Sequence, residues 1–253
     1  MFNQEPFPIK FDWGGIGASR ASQRGDIIVI VDVLSFSTSV VAALASGAII
    51  FPFPYDENLT GYEYAKEIKG ELILGRAEAL KSKKPSLSPA SFNNSHSGKK
   101  YVLSSKNGAL CTWLATDTEH LFIGCFNNAT AVANVVNDIR KKTNKNVTII
   151  ACGEKWENNG LGTSDSLRPC IEDFLAAGSI LSKLEGKKSP EAEVSSITFL
   201  NSQHKILSLI ENSGSGQELV QRGFKEDVVI ASNINSENVV PIICDKCVTN
   251  YIV

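Results

Sequence analysis

Unbroken apolar runs alternate along this chain with segments whose apolar residues recur every three or four positions. Ile27-Ile28-Val29-Ile30-Val31 is a continuous β-branched run, the pattern of a strand covered on both faces. Ser37-Thr38-Ser39 then leads into Val40–Ala45, with Gly47 beyond. Hydroxyls before a helix and a glycine after it are its usual boundary signals. Further strands are predicted at Ala48–Phe51, Glu71–Leu74, Tyr101–Ser104, Leu121–Ile123 and Val147–Ala151. Helices are predicted at Tyr62–Ile68, at Ala129–Lys142 and at Ile171–Leu184. In the second of these, Val132, Val135, Val136 and Ile139 share one face.

Between these elements, Leu80–Lys100 is rich in Lys, Ser, Pro and Asn and reads as a surface excursion. Gly153–Arg168 reads as a second polar loop and Gly186–Glu193 as a charged spacer. Two more helices are predicted, near His204–Glu211 and at Gln217–Gly223. The final run, Val239–Ile243, contains Pro241, which predicts an edge strand because proline cannot donate to a ladder. The βαβα alternation predicts an α/β protein with three-layer α/β/α architecture and a largely parallel or mixed sheet. No internal repeat is visible. Residues 1–253 read as one α/β unit, or as two subdomains whose boundary the sequence does not mark.

Composition narrows the classes. The 253 residues carry 25 Lys+Arg against 27 Asp+Glu, a formal charge of -2, with 43% hydrophobic and 21% charged positions. That balance is globular, and it removes any general electrostatic case for nucleic acid or an anionic membrane. No apolar stretch approaches the 18 or so residues of a membrane span. The segment Met1–Pro6 lacks the basic and apolar regions of a signal peptide, so a soluble cytoplasmic protein is expected. Four of the cysteines (Cys111, Cys125, Cys152 and Cys170) stand singly among apolar or small residues. Cys244 and Cys247 form one CxxC that lacks the second half a zinc site needs.

Candidate chemistry lies at strand ends, where open α/β sheets gather their ligands. Asp32 directly follows the Ile27–Val31 run, a natural place for a metal-binding or catalytic carboxylate. Ser37 and Thr38 follow at a helix start, as phosphate donors or as plain caps. Ser105, Lys106 and Asn107 follow Tyr101–Ser104, and Asn107-Gly108 taken alone is an ordinary turn. Glu154 follows Val147–Ala151, and Glu172 and Asp173 open a helix, where acidic residues often only complement the macrodipole. With Asp32 these carboxylates form a hard-oxygen set on one rim, suited to Mg²⁺. There is no P-loop and no GxGxxG after a strand. Ser213-Gly214-Ser215-Gly216 reads as a flexible helix lead-in or an anion nest.

Several segments then match one family in order. Phe11–Gly15 resembles the opening of the 2-phosphosulfolactate phosphatase family, and Val31-Asp32-Val33-Leu34 with Ser37-Thr38 resembles its DVLRA[ST]T signature. Ser88-Pro89, Asn107-Gly108, Glu172–Gly178 and the stretch from Gly216 to Pro241 also resemble it, covering nearly the whole chain. The resemblance implies a Mg²⁺-dependent acid phosphatase associated with coenzyme M biosynthesis, converting 2-phosphosulfolactate to sulfolactate and phosphate. Together with the residues themselves it implies Asp32 and Asn107 as catalytic, and Ser37, Thr38, Ser105 and Lys106 as phosphate-binding. Metal ligands are expected among Asp32, Glu154, Glu172 and Asp173, with Asp32 as a covalent nucleophile the alternative role. Four positions depart from the pattern: Ser35 stands where the family carries Arg, Leu110 falls near another expected Arg, Arg76 replaces a Glu, and Leu87 replaces an Asn. Lys106 and Arg168, or Arg76 itself, are the candidates to supply the missing positive charge at the phosphate, and the departures leave open a phosphatase for another metabolite, or a non-catalytic anion binder. The expected partner is a small anionic phosphorylated substrate, and a homo-oligomer stays open.

Overall fold

The computed structural model describes residues 3–54, 60–82, 84–156 and 167–252. The chain begins with β1 (Ile9–Trp13) and α1 (Gly14–Gln23), two elements that the apolar pattern does not announce. Then come β2 (Ile27–Val31), α2 (Phe36–Ala45), β3 (Ile49–Phe53), α3 (Gly61–Glu67), β4 (Glu71–Leu72) and α4 (Arg76–Ser82). The middle of the chain forms β5 (Lys100–Ser104), α5 (Gly108–Leu114), β6 (Leu121–Ile123), α6 (Ala129–Thr143) and β7 (Val147–Ala151). A two-stranded ribbon, β8 (Glu154–Lys155) with β9 (Leu167–Arg168), borders the polar loop whose residues 157–166 lie outside the described residues. Five helices follow: α7 (Ile171–Leu181), α8 (Pro190–Ser202), α9 (Ile206–Glu211), α10 (Gly214–Gln221) and α11 (Lys225–Ala231). A hairpin of β10 (Pro241–Cys244) and β11 (Cys247–Asn250) completes the fold.

Among the described residues the main sheet has nine strands in the order β1-β7-β2-β6-β10-β11-β3-β5-β4. It is mixed and mostly parallel: β1, β7, β2 and β6 form one parallel block and β3, β5 and β4 another. All five residues of β2 are buried because both faces are covered. Ile27, Val29 and Val31 pack into a core supplied by helices α6 to α11. Ile28 and Ile30 point the other way, onto α1, α2 and α5. The strand period of two thus divides one apolar run between two cores, giving the three-layer α/β/α architecture.

Several expectations are corrected. The Pro241 strand is not at an edge: β10 and β11 lie in the middle of the sheet, joining the two parallel blocks through antiparallel pairs. Proline is accommodated because it is the first residue of its strand and because β10 meets β6 through Ile242 and Phe122 alone. Cys244 and Cys247 face each other across this hairpin's turn, with Asp245 and Lys246 at positive φ, so the CxxC spacing is turn geometry. The charged spacer contributes a bridge from Lys188 to Ile9 and the Ser189 cap of α8. Leu80–Lys100 is not a plain surface excursion, since Ser86 and Pro89 are buried and Leu87 and Phe92 pack on the core. Ser213 caps α10 by accepting the N–H of Gly216 at 3.0 Å, so the presumed lead-in is the helix's first turn.

Helices α8 and α11 are absent from the apolar pattern. In α8 the buried face is small, with Ala192, Ser195 and Ser196 beside Phe199, while Val194, Ile197 and Leu200 are exposed. That face suits a close crossing: a Cβ on Gly178 of α7 would lie 2.2 Å from the Ser195 carbonyl oxygen. Only glycine lets the two backbones approach that closely.

Candidate active site

The carboxyl ends of β2, β5 and β7 bring Asp32, the 104–108 turn and Glu154 around a cavity of about 430 Å³. Its lining includes Asp32, Ser35, Arg76, Lys106, Asn107 and Glu154. Asp32 Oδ2 accepts the backbone N–H of Gly108 at 2.7 Å and the Ser105 hydroxyl at 3.4 Å. Burial, reinforced by the charge of Glu154, raises its pKa to about 7 against these hydrogen bonds. Burial also raises Glu154, whose Oε2 accepts from Asn107 Nδ2 at 2.7 Å. Asn107 is thereby held between the two carboxylate-bearing strand ends, and Lys106 beside it is exposed.

Ser37 and Thr38 are elsewhere in role. Helix α2 starts at Phe36, one residue before the expected cap, so both hydroxyls lie inside its first turn and are buried. Ser37 Oγ accepts the N–H of Asp32 at 2.9 Å, and Thr38 Oγ1 donates to the Val33 carbonyl at 2.8 Å. They neither cap the helix nor line the cavity; they brace the loop that carries Asp32. Arg168 is also absent from the lining. It sits opposite Glu154 in the β8–β9 ribbon, and its guanidinium donates to Ser215 Oγ at 3.1 Å and lies over Trp156.

Asp173 serves as a staple. Its Oδ1 accepts the N–H of Val33 at 2.7 Å and its Oδ2 that of Gly153 at 2.8 Å, tying the loops after β2 and β7 together. Burial raises its pKa, with Asp32 and Glu172 adding like charge. Both of its oxygens are engaged, and Glu172 does not line the cavity. Among the described residues, no three His, Cys, Asp or Glu side chains converge into a metal cage. The expected four-carboxylate set therefore reduces to Asp32 and Glu154. Two repelling carboxylates on one cavity fit Mg²⁺, which takes one or two carboxylates and fills its other positions with substrate oxygens and water.

The structure also gives surroundings to Arg76, one of the candidates for replacement charge, and to Ser35 and Leu87, which the sequence marks as departures. Arg76 Nε donates to Asp227 Oδ2 at 2.7 Å, and its Nη2 donates to the Leu87 carbonyl at 2.9 Å and to Ser35 Oγ. Asp227 Oδ1 in turn accepts from Ser88 Oγ, and the guanidinium lies 5.4 Å from the Phe224 ring centre. Asp227 carried no local signal: its partner lies 151 residues away. Leu110 lines a second, adjoining cavity of about 540 Å³, which shares Lys106, Asn107 and Glu154 with the first.

The sequence is similar to known proteins over most of its length. The sequence profile described as 2-phosphosulpholactate phosphatase matches residues 17–246. A probable 2-phosphosulfolactate phosphatase of Carboxydothermus hydrogenoformans is 31% identical over 218 residues, covering 85% of this chain and 84% of that protein. A probable 2-phosphosulfolactate phosphatase of Pseudothermotoga lettingae is 29% identical over 222 residues, 85% of this chain and 88% of its own. The 2-phosphosulfolactate phosphatase of Methanocaldococcus jannaschii is 29% identical over 224 residues, with 86% and 89% covered.

Proposed function

This chain belongs to the 2-phosphosulpholactate phosphatase family, and we propose that it is a Mg²⁺-dependent phosphoric monoester hydrolase. Its substrate in this reading is a small acidic phosphate ester, 2-phosphosulfolactate, cleaved to sulfolactate and phosphate. The observation that carries the proposal is the pairing of Asp32 with Glu154 in a cavity that also presents Arg76, Lys106 and Arg222. Two carboxylates suited to a divalent cation stand beside Lys106 and beside Arg76 and Arg222, which are paired with Asp227 and Glu218, and this set matches a substrate that brings its own negative charge.

Each residue has a task that its surroundings support. Asp32 and Glu154 would hold Mg²⁺, which when bound offsets charge on phosphoryl oxygens. Gly108 and Ser105 fix the orientation of Asp32 through its Oδ2. Lys106, exposed at the cavity mouth, attracts the incoming anion. The Asn107 amide, oriented by Glu154, keeps a second N–H for a phosphoryl oxygen. Ser37, Thr38 and Asp173 keep the Asp32 loop in place, so the donors need no rearrangement when substrate arrives.

No helix among the described residues is long and apolar enough to cross a membrane, which agrees with a small diffusible substrate. The test is phosphate release from a panel of phosphomonoesters, with Mg²⁺ and with chelator. Release that is greatest from 2-phosphosulfolactate and lost on chelation is expected. Turnover that is indifferent to chelator would remove Mg²⁺ from the proposal, and release from none of the esters would remove the phosphatase reading itself.

A further inference from the structure

We propose that Arg76 selects the substrate, its Nη1 capturing a second anionic group of the phosphate ester, a carboxylate or sulfonate, while Asp227 positions the guanidinium. The inference rests on the phosphatase reading and assigns its specificity to residues far from the Asp32 loop in sequence.

Two hydrogen-bonded clusters line the same cavity and share no member. One is Asp32, Ser105, Asn107 and Glu154, suited to the reacting phosphoryl group. The other is Arg76 with Ser35, Leu87 and the anchoring Asp227. In the second, three of the five guanidinium N–H groups are committed: Nε to Asp227 and Nη2 to Ser35 and Leu87. Nη1 has no partner among the described residues, and the side chain is 12% exposed at the cavity. A flexible arginine ordinarily loses much conformational freedom on gripping a ligand. Here folding has already fixed it, with Phe224 against its face and Asp227, 2% exposed, on its edge. What remains is Nη1, held in a fixed direction, able to give a charge-assisted hydrogen bond to a single carboxylate or sulfonate oxygen.

A purely structural ion pair between α4 and α11 is the competing explanation. It accounts for the bond to Asp227 but not for an uncommitted Nη1 on the cavity wall. Ser88 takes the other Asp227 oxygen, so the carboxylate is fully engaged in holding the arginine from behind.

The experiment uses the full chain, its Arg76→Lys and Asp227→Asn variants, and two readouts. The first is calorimetric titration with sulfoacetate, which carries a carboxylate and a sulfonate but no phosphate. The second is the ratio of kcat/KM for 2-phosphosulfolactate to that for p-nitrophenyl phosphate, which has no second anion. Charge-assisted hydrogen bonds of this kind correspond to about 10- to 100-fold in affinity. Arg76→Lys is expected to weaken sulfoacetate by about tenfold or more and to lower the kcat/KM ratio comparably, mainly through KM. Asp227→Asn, which keeps the arginine but loosens it, should move both readouts in the same direction by less. Absence of sulfoacetate binding by the wild type, equal affinity in Arg76→Lys, or parallel loss on both esters would overturn the assignment. Should Arg76→Lys fail to fold, Asp227→Asn decides by the same two readouts. Should the wild type hydrolyse neither ester, the phosphatase reading falls, while the sulfoacetate titration still decides the role of Arg76.

Discussion

Asp32 and Gly108 meet at 2.7 Å, carboxylate oxygen to backbone N–H, and so join the end of β2 to the first residue of α5. A Cβ built on residue 108 would lie 2.6 Å from that same oxygen and 2.3 Å from the Phe36 ring. Glycine is needed here for close approach of the backbone, beyond any turn it permits. The contact fixes the orientation of Asp32, the acid on which the proposed function relies.

Gly108→Ala should therefore displace both Asp32 and Phe36. Overpacking a buried site costs about 1–3 kcal/mol, and the loss of activity should be far larger than that loss of stability implies. Thermal unfolding together with phosphate-release kinetics checks this. Near-normal kcat in the variant would show that the Asp32–Gly108 contact is dispensable.

Asp32→Asn should abolish activity and stabilise the fold at neutral and alkaline pH. The folded pKa of Asp32 is about 7 against an ordinary value of 3.8. Between those limits the folded state keeps a proton that the unfolded state has released, so stability falls as pH rises and the penalty is complete above about 7. Three units correspond to a penalty on the order of 4 kcal/mol. Without divalent cations, the Tm advantage of Asp32→Asn over wild type should be near zero at about pH 4 and grow up to about pH 7. A constant Tm difference across that range would contradict the raised pKa.

Ser37→Ala with Thr38→Ala should act chiefly on stability. Removing Ser37 Oγ leaves the buried Asp32 N–H without its hydroxyl acceptor, at a cost of about 1–3 kcal/mol. The pair should lower Tm by several degrees, with any change in phosphate affinity following from a loosened Asp32 loop. Unaltered Tm beside a large loss of phosphate affinity would restore these hydroxyls as direct ligands.

Ser35→Arg should reduce activity. The Ser35 hydroxyl accepts from Arg76 Nη2, so the substitution removes an acceptor and places a second guanidinium against the first. A fall in kcat/KM on 2-phosphosulfolactate, accompanied by a lowered Tm, is expected. A clear gain on that ester would mean that the pocket accepts both cations.

The legible parts of this molecule are those whose cause is local. Ile27–Val31 is continuous because both its faces are buried, and α6 shows its face because one side packs on the sheet. Asp32, Asn107 and Glu154 could each be found by following a strand to its carboxyl end, and all three reach the same cavity. What stayed hidden depends on partners remote in sequence. Nothing near Arg76 indicates Asp227, and the buried serines of α8 make sense only beside Gly178. Ser37 and Thr38 were misleading because the helix starts at Phe36, with Ser35 at its N-cap, two residues before the position that would make Ser37 the cap, and both hydroxyls become buried braces. Arg168 was misleading because a positive charge in the sequence says nothing of where a long side chain ends, here at Ser215.

The hairpin in the middle of the sheet imposes an order on assembly. A nascent chain emerges amino end first, so β6 and β3 exist well before the strands that lie between them. Until residues 241–250 are available, each parallel block carries a bare edge of the kind that invites pairing with other chains. The closing contact, Ile50 with Val248, joins residues 198 positions apart, and such distant pairings come late because they must close the largest loops. The hairpin between the two blocks thus acts as a clasp, and without it the sheet is left as two open halves.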